Sequence, residues 1–179
     1  VIATNSWYAM QAVEAIDCQW TPSTYPAEQA DHWKVLESSF KPEFLGKEWR
    51  KIGDIETGLK TGTRVEAEYR APYVAHQPLE PLNGIGLVSD KGMEIWVGHQ
   101  SPQFVQYVAA TAIGLKPEQV TFHNQWTGGS FGHRLEYENV RVFAEIANQM
   151  KGTPIKLVFS REEDFLQDIP RQIAIALAF

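Results

Sequence analysis

The sequence predicts an α+β fold, in which a mixed sheet carries packed helices, because strand-like and helix-like segments follow one another along the chain. From residue 64 the apolar residues fall into short extended runs, which is typical of strands. Residues 101–114 and 138–152 instead place apolar residues three and four positions apart, as amphipathic helices do. With 179 residues, of which 44% are hydrophobic, the chain can bury one sizeable core, or a main core with a small satellite lobe.

The N-terminal 60 residues predict a small strand–helix–strand unit followed by a connector. Residues 1–3 and 17–20 are the expected strands, and Asn5 or Ser6 is expected to cap the helix between them. Residues 21–60 contain three prolines and support at most one amphipathic helix, on the spacing of Trp33, Leu36 and Phe40. We interpret this region as a surface excursion between lobes.

The remaining elements are predicted from turn and capping residues. Runs 84–88 and 93–97, separated by Ser89-Asp90-Lys91-Gly92, have the pattern of a β-hairpin. Ser101-Pro102 is expected to start a helix that Gly114 ends, and a strand follows at 120–123. The expected order then continues with a helix bearing Val140 to Met150, a strand at 155–159, and a short helix capped by Ser160.

Charge and composition exclude several classes of protein. A formal net charge of -6 provides no basic surface for a nucleic acid, so none is expected as a partner. The single cysteine, Cys18, excludes an internal disulfide and an iron–sulfur cluster ligated by cysteines of this segment. The longest apolar run, 173–179, is far shorter than a membrane span. The start at Val1 and the apolar end are interpreted as cuts through a longer protein.

The strongest local motif is a glycine-rich loop, GGSFGHR, at residues 128–134. Glycines allow positive φ and close approach of the backbone to a ligand, which leaves amides free to donate to an anion. Arg134 could add charge-assisted hydrogen bonds to a phosphate. The spacing fits neither the P-loop nor the dinucleotide-binding fingerprint. The residues alone therefore leave two interpretations open, a tight structural turn and an anion-binding loop.

Two other polar segments stand out less. His76 and Glu80 are four residues apart, but the prolines of HQPLEP prevent a regular helix and favour a rigid turn in which these groups bond to backbone. We therefore expect no metal ligands in the chain. Gln100, in the segment HQSP at 99–102, lies where a strand ends and a helix starts, and spacing alone marks it only as a loop residue. No serine or cysteine nucleophile has a positioned base, which argues against a hydrolase.

Three motifs in order resemble the xanthine dehydrogenase and aldehyde oxidase superfamily. They are AEYRAPYVAHQPLEP at 67–81, QSP at 100–102 and GGSFGHR at 128–134, and PIKLVFSREED at 154–164 follows them. The chain is most similar to the isoquinoline 1-oxidoreductase β-subunit branch. The resemblance implies the first half of a molybdenum-cofactor-binding domain, preceded by a piece of a small α/β lobe. It places the end of a hammerhead-like lobe at 1–22, a connector at 23–60 and the cofactor domain at 61–179, which we expect to pack as one unit with an exposed C-terminal tail.

The resemblance also implies a cofactor and site residues. The cofactor is a molybdopterin, expected as its cytosine dinucleotide, with none bound to this fragment alone. Gln100 is expected to hydrogen-bond an oxygen ligand of molybdenum, and Phe131 to wall the site; these two are the catalytic candidates. The expected cofactor-binding residues are Gln100, Gly128, Gly129, Ser130, Phe131, Gly132, His133 and Arg134. We expect Gln100 and the loop 128–132 to converge on one cleft, because a strand–helix–strand crossover joins them.

The implied activity is hydroxylation of an aldehyde or an N-heterocycle with water-derived oxygen, with electrons leaving through iron–sulfur clusters on a partner. The implied partners are the remainder of the large subunit and a small subunit with two 2Fe–2S clusters. Ser130 replaces the third glycine of the family loop, and Leu135 stands where relatives place a substrate-contacting glutamate. The family's general-base glutamate lies downstream, so the fragment alone is expected to be inactive. The alternative is a non-catalytic module that binds another phosphate-bearing ligand.

Overall fold

A computed structural model describes residues 1–178. The helices are α1 (Ser6–Glu14), α2 (Gln29–Ser38), α3 (Ile55–Thr61), α4 (Pro102–Ala112), α5 (Glu138–Gln149) and α6 (Arg161–Gln167). The strands are β1 (Ala67–Ala71), β2 (Asn83–Ser89), β3 (Gly92–Val97), β4 (Val120–Asn124), β5 (Ile155–Val158) and β6 (Ala174–Ala178). Short 3-10 turns cover Pro42–Phe44, Pro117–Gln119 and His133–Leu135. The predicted α+β class is confirmed.

The chain divides into two compact units. The first comprises residues 1–17 and 75–171, and the second comprises residues 18–74 with the segment from Gln172 onward. The expectation that 61–179 pack as one unit is therefore wrong, because 61–74 and the tail pair with each other. The boundaries at 22/23 and 60/61 stay a prediction. None of the helices in the described part of the chain combines the length and the hydrophobicity needed to cross a bilayer.

The first unit is built on a four-stranded mixed sheet of order β4-β3-β2-β5. The predicted hairpin joins β2 and β3, and β5 pairs antiparallel on the other side of β2. β3 and β4 run parallel, with Met93 opposite Val120 and Val97 opposite Asn124. A parallel pair needs a crossover connection, which here contains α4. The ends of β3 and β4 therefore lie at the same edge of the sheet.

The core of the first unit lies between the sheet and the helices α4 and α5. α5 buries Val140, Phe143, Ala144 and Ala147 at helical spacing, as its sequence predicts. The Phe143 ring lies over Gly84 and Gly86 of β2; a Cβ on Gly84 would be 2.5 Å from the ring and one on Gly86 2.8 Å. The two glycines thus let α5 approach the sheet closely. α6 begins as predicted, since the Ser160 side chain accepts from the Glu163 backbone N–H at 3.1 Å.

The second unit contains α2, α3 and a two-stranded antiparallel sheet of β1 and β6, with Ala67 opposite Ala178. The predicted exposure of the tail is confirmed up to Ala178, since β6 is mostly exposed; Phe179 lies outside the described residues. Arg70 of β1 donates to Glu37 of α2 at 2.7 Å. The Nδ1 atom of His32 lies 3.0 Å from the hydroxyl of Tyr73.

Two predictions for the N-terminal 60 residues are wrong. Residues 1–3 and 17–20 are not strands; they are exposed and pair with no other segment among residues 1–178, so they lack the ladder that a strand requires. The region 21–60 holds two α-helices where at most one was expected. The additional helix, α3, is capped by Asp54, whose carboxylate accepts from the backbone N–H of Thr57 at 3.2 Å and from its hydroxyl at 2.6 Å.

Candidate functional site

Gln100 and the glycine loop 128–132 meet at one edge of the mixed sheet, as the crossover predicts. Gln100 follows β3 and the loop follows β4, and these strands are parallel neighbours. The backbone N–H of Gln100 donates to the carbonyl of Arg134 at 3.1 Å. The hydroxyl of Ser130 donates to the side-chain oxygen of Gln100 in a short hydrogen bond. Backbone and side chain of Gln100 are thus both attached to the loop.

The loop backbone is left-handed at three positions. Gly129 and Gly132 have φ of 104° and 106°, and Phe131 has φ of 56°, which is uncommon for a bulky residue. The Phe131 side chain is 79% exposed, so burial of its ring does not offset this strain. Strained residues of this kind concentrate at ligand sites. The Ser130 hydroxyl also accepts from the backbone N–H groups of Gly132 and Arg134, each at 3.4 Å.

The loop presents free backbone donors. Within residues 1–178, no protein group accepts a hydrogen bond from the backbone N–H of Gly129, Ser130 or Phe131. The side-chain nitrogen of Gln100 likewise has no acceptor among these residues. Successive free N–H groups in a turn with left-handed residues form a concave donor site for anions. Of the two interpretations of the loop, this geometry favours the anion-binding one.

Arg134 and Glu80 fix the base of the loop. The buried guanidinium of Arg134 donates to the carboxylate and to the carbonyl of Glu80, both at 2.8 Å. The same carboxylate accepts from the backbone N–H of Gly128 at 2.7 Å. Burial lowers the pKa of Arg134, while Glu80 and Asp164 act in the opposite direction. The guanidinium therefore holds the loop in place, and its direct contact with a phosphate stays a prediction.

His99 supports Gln100 from the adjacent position. Its Nδ1 atom accepts from the backbone N–H of Ser101 at 3.0 Å, and its Nε2–H donates to the carbonyl of Glu136 at 3.1 Å. Both ring nitrogens are satisfied in one neutral tautomer. Burial lowers the pKa of His99, which is consistent with a neutral ring. Gln100 thus follows a residue that is fixed on both sides.

His133 does not lie among the free donors of the loop. Its side chain is buried and contacts carboxylates: Nε2 lies 3.1 Å from Asp164 Oδ1, and Nδ1 lies 3.2 Å from Glu136 Oε2. The ring of His76 lies in the same cluster, with Nδ1 2.7 Å from Asp168 Oδ1. The expectation that His76 bonds to backbone is therefore wrong, because a carboxylate accepts its hydrogen bonds. Glu80 does bond to backbone, at Gly128 and through its own N–H to the Gly128 carbonyl at 3.3 Å.

The pKa values of two acids in this cluster, Glu136 and Asp168, are shifted in opposite directions. Burial raises the pKa of Glu136. Burial also acts to raise the pKa of Asp168, but the hydrogen bonds from the ring and the backbone N–H of His76 act against it, and that pKa is lowered. The sequence analysis missed Glu136, Asp164 and Asp168 as a group, since Glu136 lies in a segment far in sequence from the one that supplies Asp164 and Asp168. The spacing of three between His133 and Glu136 was the one local signal.

Comparison with known proteins gives a consistent set of matches. Residues 37–176 match the sequence model of a family described as molybdopterin cofactor-binding domain. Isoquinoline 1-oxidoreductase subunit beta of Brevundimonas diminuta is 35% identical over 111 residues, which is 61% of this chain and 14% of that protein. The xanthine dehydrogenase molybdenum-binding subunit of Escherichia coli O157:H7 is 24% identical over 180 residues, covering 93% of this chain and 23% of that subunit.

Solved structures show the same fold. Reconstituted CO dehydrogenase from Oligotropha carboxidovorans superposes with a TM-score of 0.60 at 22% identity, over 90% of this chain and 23% of that one. Aldehyde oxidoreductase from Desulfovibrio gigas superposes with a TM-score of 0.59 at 20% identity, over 68% of this chain and 14% of that one. The chain thus spans less than a quarter of the length of each of these four proteins.

Proposed function

Because this chain belongs to the molybdopterin cofactor-binding domain family, we propose that the loop 128–134 and Gln100 bind the anionic and polar parts of that cofactor. The supporting observation is the row of free backbone N–H groups at Gly129, Ser130 and Phe131 beside Gln100. Phosphate and pterin oxygens accept hydrogen bonds of this kind. When bound, the cofactor supplies the oxidation that transfers water-derived oxygen to a substrate carbon.

The roles of the individual residues follow from their contacts. Gln100 is a donor: Ser130 occupies its side-chain oxygen and leaves the carboxamide nitrogen to donate to the metal end of the cofactor. The exposed ring of Phe131 forms a wall of the site. Gly128 leaves room for the Glu80 side chain, since a Cβ there would be 2.6 Å from the Cβ of Glu80. Arg134, through Glu80, positions the loop that presents the donors.

We further propose that the chain works as part of a larger molybdenum hydroxylase that oxidises an aldehyde or an N-heterocycle. The length of the relatives supports this proposal, because each whole relative is four to seven times longer than the segment of it that aligns with this chain. The proposed partners are the remainder of the large subunit and a small subunit that carries two 2Fe–2S clusters. The cytosine dinucleotide is the proposed form of the cofactor.

Loop variants of the intact subunit test cofactor binding. Gly129→Ala places a Cβ at φ 104°, 3.3 Å from the Cβ of Pro78, so we expect the loop to distort and the molybdenum content to fall several-fold. Gly152→Ala is the matched control, because Gly152 also has positive φ, 83°, but nothing lies within 4 Å of the added Cβ. Metal analysis and chromatography of the released pterin give the readout. Full cofactor content in Gly129→Ala, with a loss in the control, would exclude the loop as the binding site.

A further inference from the structure

We propose that His76, His133, Glu136 and Asp168 form a second site, which binds a divalent transition metal of zinc-like chemistry. Each residue offers one ligand atom, and these atoms lie within 4.8 Å of one another. His133, Glu136 and the carboxylate of Asp168 are buried, and His76 is partly exposed. The site consists of protein ligands alone, so it does not depend on the proposed cofactor function.

The first argument concerns His133. Asp164 Oδ1, 3.1 Å from Nε2, already accepts from the backbone N–H of Leu82 at 2.7 Å. Since an ionised carboxylate only accepts, Nε2 carries the donated proton. In a neutral ring Nδ1 then offers a lone pair, and it faces Glu136 Oε2 at 3.2 Å and Asp168 Oδ1 at 3.4 Å. A lone pair that faces two carboxylate oxygens in a buried site is stabilised by a positive ion, a proton or a metal, between them.

The second argument is that two of these atoms have no partner. Neither His133 Nδ1 nor Glu136 Oε2 makes a hydrogen bond within the described chain, although both atoms are fully buried. The two atoms are 3.2 Å apart, yet they form no hydrogen bond with each other. Unsatisfied buried polar atoms are rare, and a bound ion is one of the features that explain them. Among residues 1–178, both atoms belong to the one group of histidine and carboxylate ligand atoms that lie within 4.8 Å of one another, so a shared metal would satisfy them together.

The third argument is that outer partners orient the ligands. Glu136 Oε1 accepts from the backbone N–H of Ile169 at 3.0 Å, which leaves Oε2 for a metal. Asp168 Oδ2 accepts from the backbone N–H of His76 at 2.9 Å, and Asp168 Oδ1 lies 2.7 Å from His76 Nδ1, where a bound metal would take the place of the shared proton. Asp164 holds the distal nitrogen of His133. Carboxylate–histidine pairs and backbone N–H groups support metal ligands in this way.

The ligand set indicates the metal. Two imidazole nitrogens and two carboxylate oxygens suit zinc, whose tetrahedral sites have bonds of about 2.0 to 2.2 Å and thus ligand atoms about 3.3 Å apart. Three separations between the ligand atoms, 2.7, 3.2 and 3.4 Å, lie around that spacing, and all four atoms lie within 4.8 Å of one another. A bound zinc ion would join His133 of the loop 128–134 to His76, which lies before β2, and to Asp168, which lies after α6.

Metal titration of the purified, chelator-treated chain tests the proposal. Calorimetry with Zn²⁺ is expected to show one equivalent bound, and Co²⁺ to give the intense visible absorption of a four-coordinate site. Glu136→Gln and Asp168→Asn preserve the size of the side chains. Loss of a residue that only supports a ligand weakens metal binding roughly 10- to 100-fold, so loss of a ligand itself is expected to weaken it by at least that much. His133→Ala should abolish it.

The matched control is His123→Ala. His123 is a partly exposed histidine that also lies beside a carboxylate, 2.9 Å from Glu94, but outside the cluster. Its loss should leave the affinity and the Co²⁺ spectrum unchanged. Circular dichroism establishes that each variant is folded, and Glu136→Gln keeps the test valid if His133→Ala does not fold. Absence of binding by the wild-type chain, or equal affinity in Glu136→Gln, Asp168→Asn and His123→Ala, would show a hydrogen-bonded network and overturn the proposal.

Discussion

The hydroxyl of Ser130 donates to the side-chain oxygen of Gln100, across an interval of 30 residues in sequence. The resemblance leads one to expect glycine at position 130, and a glycine there could not make this contact. The same oxygen of Ser130 accepts from the backbone N–H groups of Gly132 and Arg134. One hydroxyl thus connects Gln100 to both sides of the loop turn.

Replacing Ser130 by Ala should lower the free energy of unfolding by about 0.5 to 1.5 kcal/mol, the net contribution of a hydrogen bond of this kind. Chemical denaturation of the chain measures it. Ser89→Ala is the control, because the Ser89 hydroxyl makes only exposed contacts within its own turn. Equal losses of unfolding free energy in the two variants would mean that the Ser130 contact stabilises the chain no more than an exposed hydrogen bond within a turn does.

Gln100→Ala should slow turnover of the intact enzyme about 5- to 150-fold, which corresponds to about 1 to 3 kcal/mol for one oriented hydrogen bond. Steady-state rates with an aldehyde or an N-heterocycle and an artificial electron acceptor give the measurement. Gln103→Ala is the matched control, since Gln103 is an exposed residue of α4. Unchanged turnover in Gln100→Ala would remove Gln100 from the proposed site.

Glu80→Gln should destabilise the chain by about 1.5 to 3 kcal/mol, because it leaves the buried Arg134 guanidinium without its counter-charge. Glu145→Gln removes an exposed ion pair with Arg141, which solvent screens, so a much smaller loss of stability is expected. Denaturation midpoints of the two variants make the comparison. A larger loss of stability in Glu145→Gln than in Glu80→Gln would contradict the proposed role of the Glu80–Arg134 ion pair at the base of the loop.

Phe143→Ala should cost about 3 to 5 kcal/mol, since the ring is fully buried over the two glycines of β2. Phe44, 63% exposed, provides a matched phenylalanine whose replacement by Ala should change stability by about 0.5 kcal/mol or less. Thermal unfolding of both variants checks the difference. Comparable losses would show that the core does not centre on α5.

The sequence predicted the first unit well where periodicity and capping residues agree. The α4 crossover between β3 and β4 follows from Ser101-Pro102 and two apolar runs, and it also placed Gln100 beside the loop. α3 was missed because it is short and contains Gly58, which lowers helix propensity. The pairing of β1 with β6 was missed because strand partners distant in sequence leave no local pattern.

The candidate site was predicted only in part. The glycine loop is a local motif, and its donors can be recognised from residue types. The buried cluster around His133 requires side chains from three segments, around residue 76, at 133–136 and at 164–168, and Asp168 has no distinctive neighbours in sequence. The position of the Arg134 guanidinium, on Glu80 instead of among the free donors, likewise depends on tertiary packing.

The paired contacts between Glu80 and Gly128 have a consequence for local unfolding. Each residue donates its backbone N–H to the other, Glu80 to the Gly128 carbonyl and Gly128 to the Glu80 carboxylate. Neither segment can open without breaking both contacts and uncovering the charge of Arg134. The turn before β2 and the glycine loop therefore form one cooperative unit, whose amides should exchange with solvent at a common rate set by the free energy of that single opening.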